Sequence, residues 1–159
     1  MTDDTDIRTL RRILHDYKRV AMVGLSADWY RPSNFAAKYL LDRDFEVVPV
    51  NPKYDEILGQ KCYPDLKSIP TPIDIVDLFQ RPDRIPPFVD QAIEIGAKVV
   101  WMQLGIVNEE AAQKARDAGL EVVMDRCMKI EYARLYGGLN WLGVNTGVIS
   151  SQRPRYINR

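Results

Sequence analysis

Five short apolar runs, each followed by a stretch with helical periodicity, constrain this chain more than any other feature. They are residues 20–24 (VAMVG), 45–50 (FEVVPV), 73–79 (IDIVDLF), 99–104 (VVWMQL) and 120–124 (LEVVM). The runs are nearly continuous in Val, Ile and other apolar residues, the pattern of strands covered on both faces. Between them, residues 34–42 place Phe35, Ala36, Tyr39 and Leu40 on one helical face. Residues 86–95 do the same with Phe88, Val89, Ala92 and Ile93, and stop at Gly96. Asn108 is a good N-cap, and Glu109 and Glu110 follow in the first turn, where the helix dipole favours acids. That helix aligns Ala111, Ala112, Ala115 and Ala118, small enough for close packing on a sheet, and ends at Gly119.

Strands alternating with helices imply right-handed βαβ units and a parallel sheet. The expected fold is α/β, a Rossmann-like three-layer αβα domain with a five-stranded parallel sheet. Its order, 3-2-1-4-5, is taken by analogy with dinucleotide-binding domains. The 159 residues suit a single domain, 1–159, with a core over about 10–136 and a tail over 137–159. Pro49 is expected as the last residue of the second strand, because a proline further inside costs a ladder hydrogen bond. An N-terminal helix is expected over 6–17 and one helical turn within the Pro-rich stretch 64–72. The tail carries Trp141, Leu142, Val148 and Ile149, which would pack on the domain or on a partner, including a second copy of the chain; residues 153–159 look frayed.

Composition narrows the function. The 22 basic and 22 acidic residues cancel, so no electrostatic pull toward nucleic acid or an anionic membrane is expected. No apolar run approaches bilayer length, and MTDDTDIRTLRRIL has none of the continuous apolar stretch of a signal peptide. Two cysteines, Cys62 and Cys127, and one histidine, His15, are too few for a disulfide scaffold or a zinc or iron–sulfur site. A cytoplasmic protein without a metal is the expectation.

In an open parallel sheet, ligands bind beyond the carboxyl ends of the strands. The first strand is followed by residues 24–34, GLSADWYRPSN, leading into a helix. Gly24 permits a tight exit and close approach of a ligand to the backbone. Ser26, Ser33 and the free N–H groups of the helix start can donate to phosphate oxygens, and Arg31 adds a forked cation. The same residues also fit an ordinary strand-to-helix turn with a solvent-facing arginine. A nicotinamide site would require G-x-G-x-x-G here and an acid after the second strand. Neither is present: the second strand leads into Asn51-Pro52-Lys53, and a lysine there suits a phosphorylated ribose. The Walker pattern is absent as well.

Six segments taken together resemble a known group. Residues 20–33 (VAMVGLSADWYRPS), 48–54 (VPVNPKY), 59–64 (GQKCYP), 75–82 (IVDLFQRP), 96–106 (GAKVVWMQLGI) and 125–128 (DRCM) look like the stand-alone CoA-binding proteins. These are similar to the N-terminal domain of the succinyl-CoA synthetase α subunit. The resemblance covers roughly residues 10–136. It implies that coenzyme A or an acyl-CoA binds with its pyrophosphate on Gly24, Leu25, Ser26, Arg31, Ser33 and Asn34. Asn51, Pro52 and Lys53 would meet the adenosine end, with Lys53 near a phosphate. Phe79, Gln80 and Arg81 would border the adenine or pantetheine path, and Gln103, Leu104 and Gly105 would line the pantetheine arm. The synthetase's phosphate-carrying histidine lies in a second domain, whereas His15 here precedes the first strand, so the ligase chemistry does not carry over.

No catalytic constellation stands out, and binding without catalysis is favoured. An enzyme acting on an acyl-CoA through Asp77, Asp125 or Cys127 is the alternative, as is a ligand-responsive regulatory protein using the tail's aromatics. Asp77 interrupts an apolar strand and is expected to be paired or hydrogen-bonded. Asp125 and Arg126 fit a local ion pair or a cap for the next helix. Cys127 fits a small buried apolar residue better than a redox partner for the CoA thiol. Trp29 and Tyr30 suit either stacking on a ligand base or covering the core, and His15 suits the surface.

Overall fold

A computed structural model of the protein describes residues 6–136; the tail over 137–159, including Trp141 and Ile149, lies outside the described residues. The elements run α1 (Ile7–Asp16), β1 (Arg19–Val23), α2 (Pro32–Leu41), β2 (Glu46–Val50), β3 (Glu56–Ile57), β4 (Gln60–Lys61) and β5 (Ile75–Leu78). They continue with α3 (Ile85–Glu94), β6 (Val99–Met102), α4 (Glu109–Asp117), β7 (Glu121–Val123) and α5 (Met128–Tyr136). Side-chain caps set the helix starts: Asp6 accepts from the Thr9 N–H at 2.8 Å, and Asn108 accepts from the Ala111 N–H at 3.0 Å. Pro32 opens α2 at a position where its missing N–H costs nothing.

All five strands of the main sheet are parallel, in the order β2-β1-β5-β6-β7. Outside β2, Tyr63 forms a parallel bridge with Val50: its N–H donates to Pro49 O at 3.0 Å, and the Asn51 N–H donates to its carbonyl at 2.9 Å. With Tyr63 in third place, the winding is the dinucleotide-binding pattern 3-2-1-4-5 followed by one further strand. What differs is the segment filling the outer place. The run 73–79, read from the sequence as the third strand, supplies β5, which lies between β1 and β6. A single-residue bridge followed by Pro64 carries no apolar run, so nothing in the pattern marks it as a strand.

Pro49 is inside β2, opposite Met22, rather than its last residue. The N and O atoms of a strand residue point to the same side, and Pro49 O faces outward to Tyr63. Its missing N–H therefore falls on the outer edge and removes no bond to β1. The stretch 64–72 holds turns and no helix. Pro64, Pro70 and Pro72 withhold donors, and the Asp65 side chain accepts from the Ser68 N–H and Oγ at 2.8 and 2.7 Å. A small antiparallel hairpin, β3–β4, turns at Leu58 and Gly59, both at positive φ.

Alternate residues of β1 feed two separate cores. Val20 and Met22 pack with α1, α2 and α5 through Leu10, Ile13, Leu40 and Met128. Ala21 and Val23 pack with α3 and α4 through Val89, Ala92, Ala112 and Ala115. Helices on both faces make the three layers that the continuous apolar runs imply. His15, on the outer side of α1, is exposed beside Asp16. No helix among the described residues is long and apolar enough to cross a membrane.

Candidate functional site

The carboxyl ends of the strands converge on a groove with two communicating compartments. Its hub is Gly24, at φ 84°, whose N–H donates to Val50 O at 2.9 Å. A Cβ here would lie 2.3 Å from Phe79 O and 2.8 Å from Gln80 Nε2. Only glycine lets the exits of β1, β2 and β5 approach this closely.

The loop from Gly24 to α2 is braced by polar side chains. Ser33 Oγ accepts from the Ser26 N–H at 3.1 Å, and Asn34 Nδ2 donates to Ser26 O at 2.9 Å. Asn51 Nδ2 donates to Leu25 O at 3.1 Å, while its Oδ1 accepts from the Lys53 N–H at 3.0 Å. Ser33 and Asn34 are therefore buried and hold the loop in shape, and Asn34 Oδ1 is buried without a hydrogen-bond partner. The Leu25 side chain belongs to the core, so only its backbone faces the loop.

The polar compartment, about 610 Å³, is lined by Gly24, Ser26, Arg31, Ser33, Asn51 and Lys53, with Gln80 and Arg81 opposite. Asp28 also borders it. Arg31 precedes α2 with its guanidinium 5.6 Å from the Tyr30 ring. Arg81 makes a forked pair with Asp83 at 3.1 Å, both side chains exposed. Pro52 is exposed in the turn between Asn51 and Lys53 and lines neither compartment.

The second compartment, about 970 Å³, shares Pro32, Phe79 and Ile106 with the first. Phe35 and Tyr39 of α2 form one wall, Cys127 and Ile130 at the start of α5 the other, and Gln103 and Leu104 the base. Trp29 and Tyr30 stand at its rim in a T-shaped pair, 70% and 58% exposed. Gly105 lines neither compartment. It turns the chain after β6 at φ 80°, and its N–H donates to Asp125 Oδ1 at 2.6 Å. Asp125 thus pins the adjacent loop, in place of the ion pair or helix cap expected of it.

Asp77 is fully buried beneath this base and accepts a hydrogen bond from Gln103 Nε2, while its Oδ2 has no partner. Burial pushes its carboxyl up to about 8, against the opposing pull of the Gln103 bond, so the protonated form dominates at neutral pH. The Cys127 thiol is raised chiefly by burial. Cys62 is likewise raised by burial, with Sγ 3.3 Å from Asn51 O. Neither cysteine is an activated nucleophile. Among the described residues no group of three or more His, Cys, Asp or Glu could hold a metal ion.

Sequence reasoning missed two features. The sequence marks Phe35 and Tyr39 only as members of one apolar helical face; both line the groove, and Tyr39 also packs against the core, because an apolar periodicity looks the same whether it faces a core or a groove. Glu131, fully buried, pairs with Arg134 at 2.5 Å and lies 3.9 Å from Arg126. The i, i+3 spacing of Glu131 and Arg134 was the available signal. Trp101 Nε1 donates to Arg126 O at 2.8 Å, and together these contacts tie α5 to the sheet.

The profile of the CoA binding domain family matches residues 18–133. The uncharacterized protein YneT of Bacillus subtilis is 43% identical over 124 residues, covering 78% of this chain and 92% of its own length. Acetate–CoA ligase [ADP-forming] I of Archaeoglobus fulgidus is 35% identical over 136 residues. That match takes in 82% of this chain and only 19% of the ligase. A hypothetical protein from Pyrococcus horikoshii has a solved structure that superposes with a TM-score of 0.82 at 48% identity, covering 84% of this chain and 94% of its own. A family match over most of the chain, with relatives of this identity, establishes that the protein belongs to the CoA binding domain family.

Proposed function

We propose that the protein binds coenzyme A or an acyl-CoA across the carboxyl edge of the sheet and performs no chemistry on it. The observation that carries this reading is the division of one groove into a cationic polar half and an apolar half. Coenzyme A has the same division, with phosphates and adenosine at one end and pantetheine at the other. The pyrophosphate would lie over the Gly24–Ser33 loop against Ser26 and Arg31, with Lys53 near the ribose phosphate. Phe79 and Arg81 would border the middle of the ligand, and Gln103 and Leu104 would meet the pantetheine arm. Ser33, Asn34 and Asn51 would act chiefly by holding the loop backbone ready for phosphate. The raised thiol of Cys127 and the protonated, buried Asp77 favour binding over nucleophilic or basic catalysis.

The test is calorimetric titration with CoA, dephospho-CoA, NAD and ATP, repeated on an Arg31→Ala variant. The expected result is saturable CoA binding, weakened about tenfold by loss of one charge-assisted phosphate contact, with NAD silent. Dephospho-CoA should bind more weakly than CoA, since it lacks the group assigned to Lys53. Failure of a folded, ligand-free sample to bind CoA would overturn the reading.

A further inference from the structure

We infer that the apolar compartment is an acyl-chain site, so that the protein's preferred ligand is an acyl-CoA whose chain extends beyond two carbons. The inference rests on the reading of the groove as a CoA site and specifies what its second half takes.

Three observations support it. First, the compartment is the larger of the two, about 970 Å³ against about 610 Å³, although the bulkier polar portion of CoA is assigned to the smaller one. Second, past Gln103 and Leu104, where the pantetheine arm is assigned, its walls are dominated by aromatic and aliphatic side chains. Phe35 and Tyr39 on α2 and Ile130 on α5 face one another across it, and Gln103 supplies its one side-chain amide. Third, Trp29 and Tyr30 expose large aromatic surface at the rim, where it costs free energy unless covered. A hydrocarbon chain would cover that surface and fill the space between the helices.

Gln103 marks where the polar part of the ligand would end. Its Nε2 is committed to Asp77 at the base, which fixes the carboxamide against the start of the apolar wall. Asp77 is thus a positioning residue, and the last polar group of the ligand, a pantetheine amide or the thioester, belongs beside Gln103. The rest of the lining is chiefly aromatic and aliphatic, its other polar atoms being those of Trp29, Tyr30, Tyr39, Cys127 and Lys129. The occupant is committed by continuity: the two compartments share Phe79, Pro32 and Ile106, so one molecule can run through both.

The experiment titrates the full chain with CoA, acetyl-CoA and hexanoyl-CoA, and repeats the last two on an Ile130→Ser variant. Each buried methylene contributes about fourfold when fully covered. Hexanoyl-CoA should therefore bind at least about tenfold more tightly than acetyl-CoA, because part of the chain stays at the open rim. Ile130→Ser should reduce that ratio several-fold. The ratio is taken within one preparation, so any loss of folded protein cancels. Equal affinities across the series would overturn the inference while the CoA reading stands. Absence of binding by every member would overturn both.

Discussion

Asp77 shows how one residue can shape a site without touching solvent. Its carboxyl is buried in the sheet with a single hydrogen bond, from Gln103, and an unpartnered Oδ2. A carboxylate in that environment lacks the donors that water would give it, so the protonated form is favoured up to about pH 8. In the unfolded chain the same group ionises near its ordinary value, about 4. Between those two pH values the folded state binds more protons than the unfolded one. Stability therefore falls as pH rises through this window, by at most about 1.4 kcal/mol per pH unit, and the loss is complete above about pH 8. Asp77→Asn keeps the acceptor for Gln103 and removes the ionisation. Urea denaturation at pH 5, 6, 7 and 8 should show the variant gaining on the wild type at every step upward. A difference between the two proteins that stays constant with pH would mean that Asp77 is ionised in the fold.

At the scale of elements, the helix termini are the most local instructions in the chain. Asn108 satisfies the Ala111 N–H at the start of α4, and Glu109 and Glu110 add charge of the right sign to the same turn. Asn108→Ala should cost about 1 kcal/mol, read as a lower urea midpoint at unchanged slope. Asn108 also donates from Nδ2 to Pro82 O at 3.0 Å, so a Ser replacement should recover the cap but not that second contact. Such instructions were legible because they lie within a few residues of the element they serve. The same holds for β1, β2, β5, β6 and β7, whose apolar runs need no partner to be recognised. What was not legible depended on distance. Tyr63 takes the outer place beside β2 through one bridge, and Pro49 is harmless only because its nitrogen faces that edge. Asp125 looked like a helix cap by position, yet its carboxylate reaches back to Gly105 across 20 positions of sequence. In the candidate site, Ser26 and Lys53 could be named from the residues that follow β1 and β2, whereas Phe79 and Gln103 came from the family resemblance; all four lie after strand ends and line the groove. The facing walls of Phe35 and Tyr39 on α2 and Ile130 on α5 could not, since they form a compartment only once α2 and α5 are brought together.

For the molecule as a whole, the groove has no single owner. The ends of β1, β2, β5 and β6 and the starts of α2 and α5 all contribute to it, and none of these elements supplies a complete site. A ligand lying along it contacts only the folded chain, so its binding free energy adds to the stability of the whole domain. At a hundredfold excess over Kd this amounts to about 2.7 kcal/mol, which for a chain of this length corresponds to a rise in Tm of about 5–10 °C. Differential scanning calorimetry with CoA should show that rise, and NAD at the same concentration should not. The electrostatic share can be separated from the apolar share by salt. With 22 basic and 22 acidic residues the chain has no net charge to attract an anion, so on the proposed reading the attraction comes from Arg31 and Lys53 at close range, Arg81 being paired with Asp83. Raising the ionic strength tenfold should shrink the rise given by CoA, through its phosphates, while the increment that hexanoyl-CoA adds over acetyl-CoA persists. An increment that vanished with salt would place the acyl chain outside the apolar compartment.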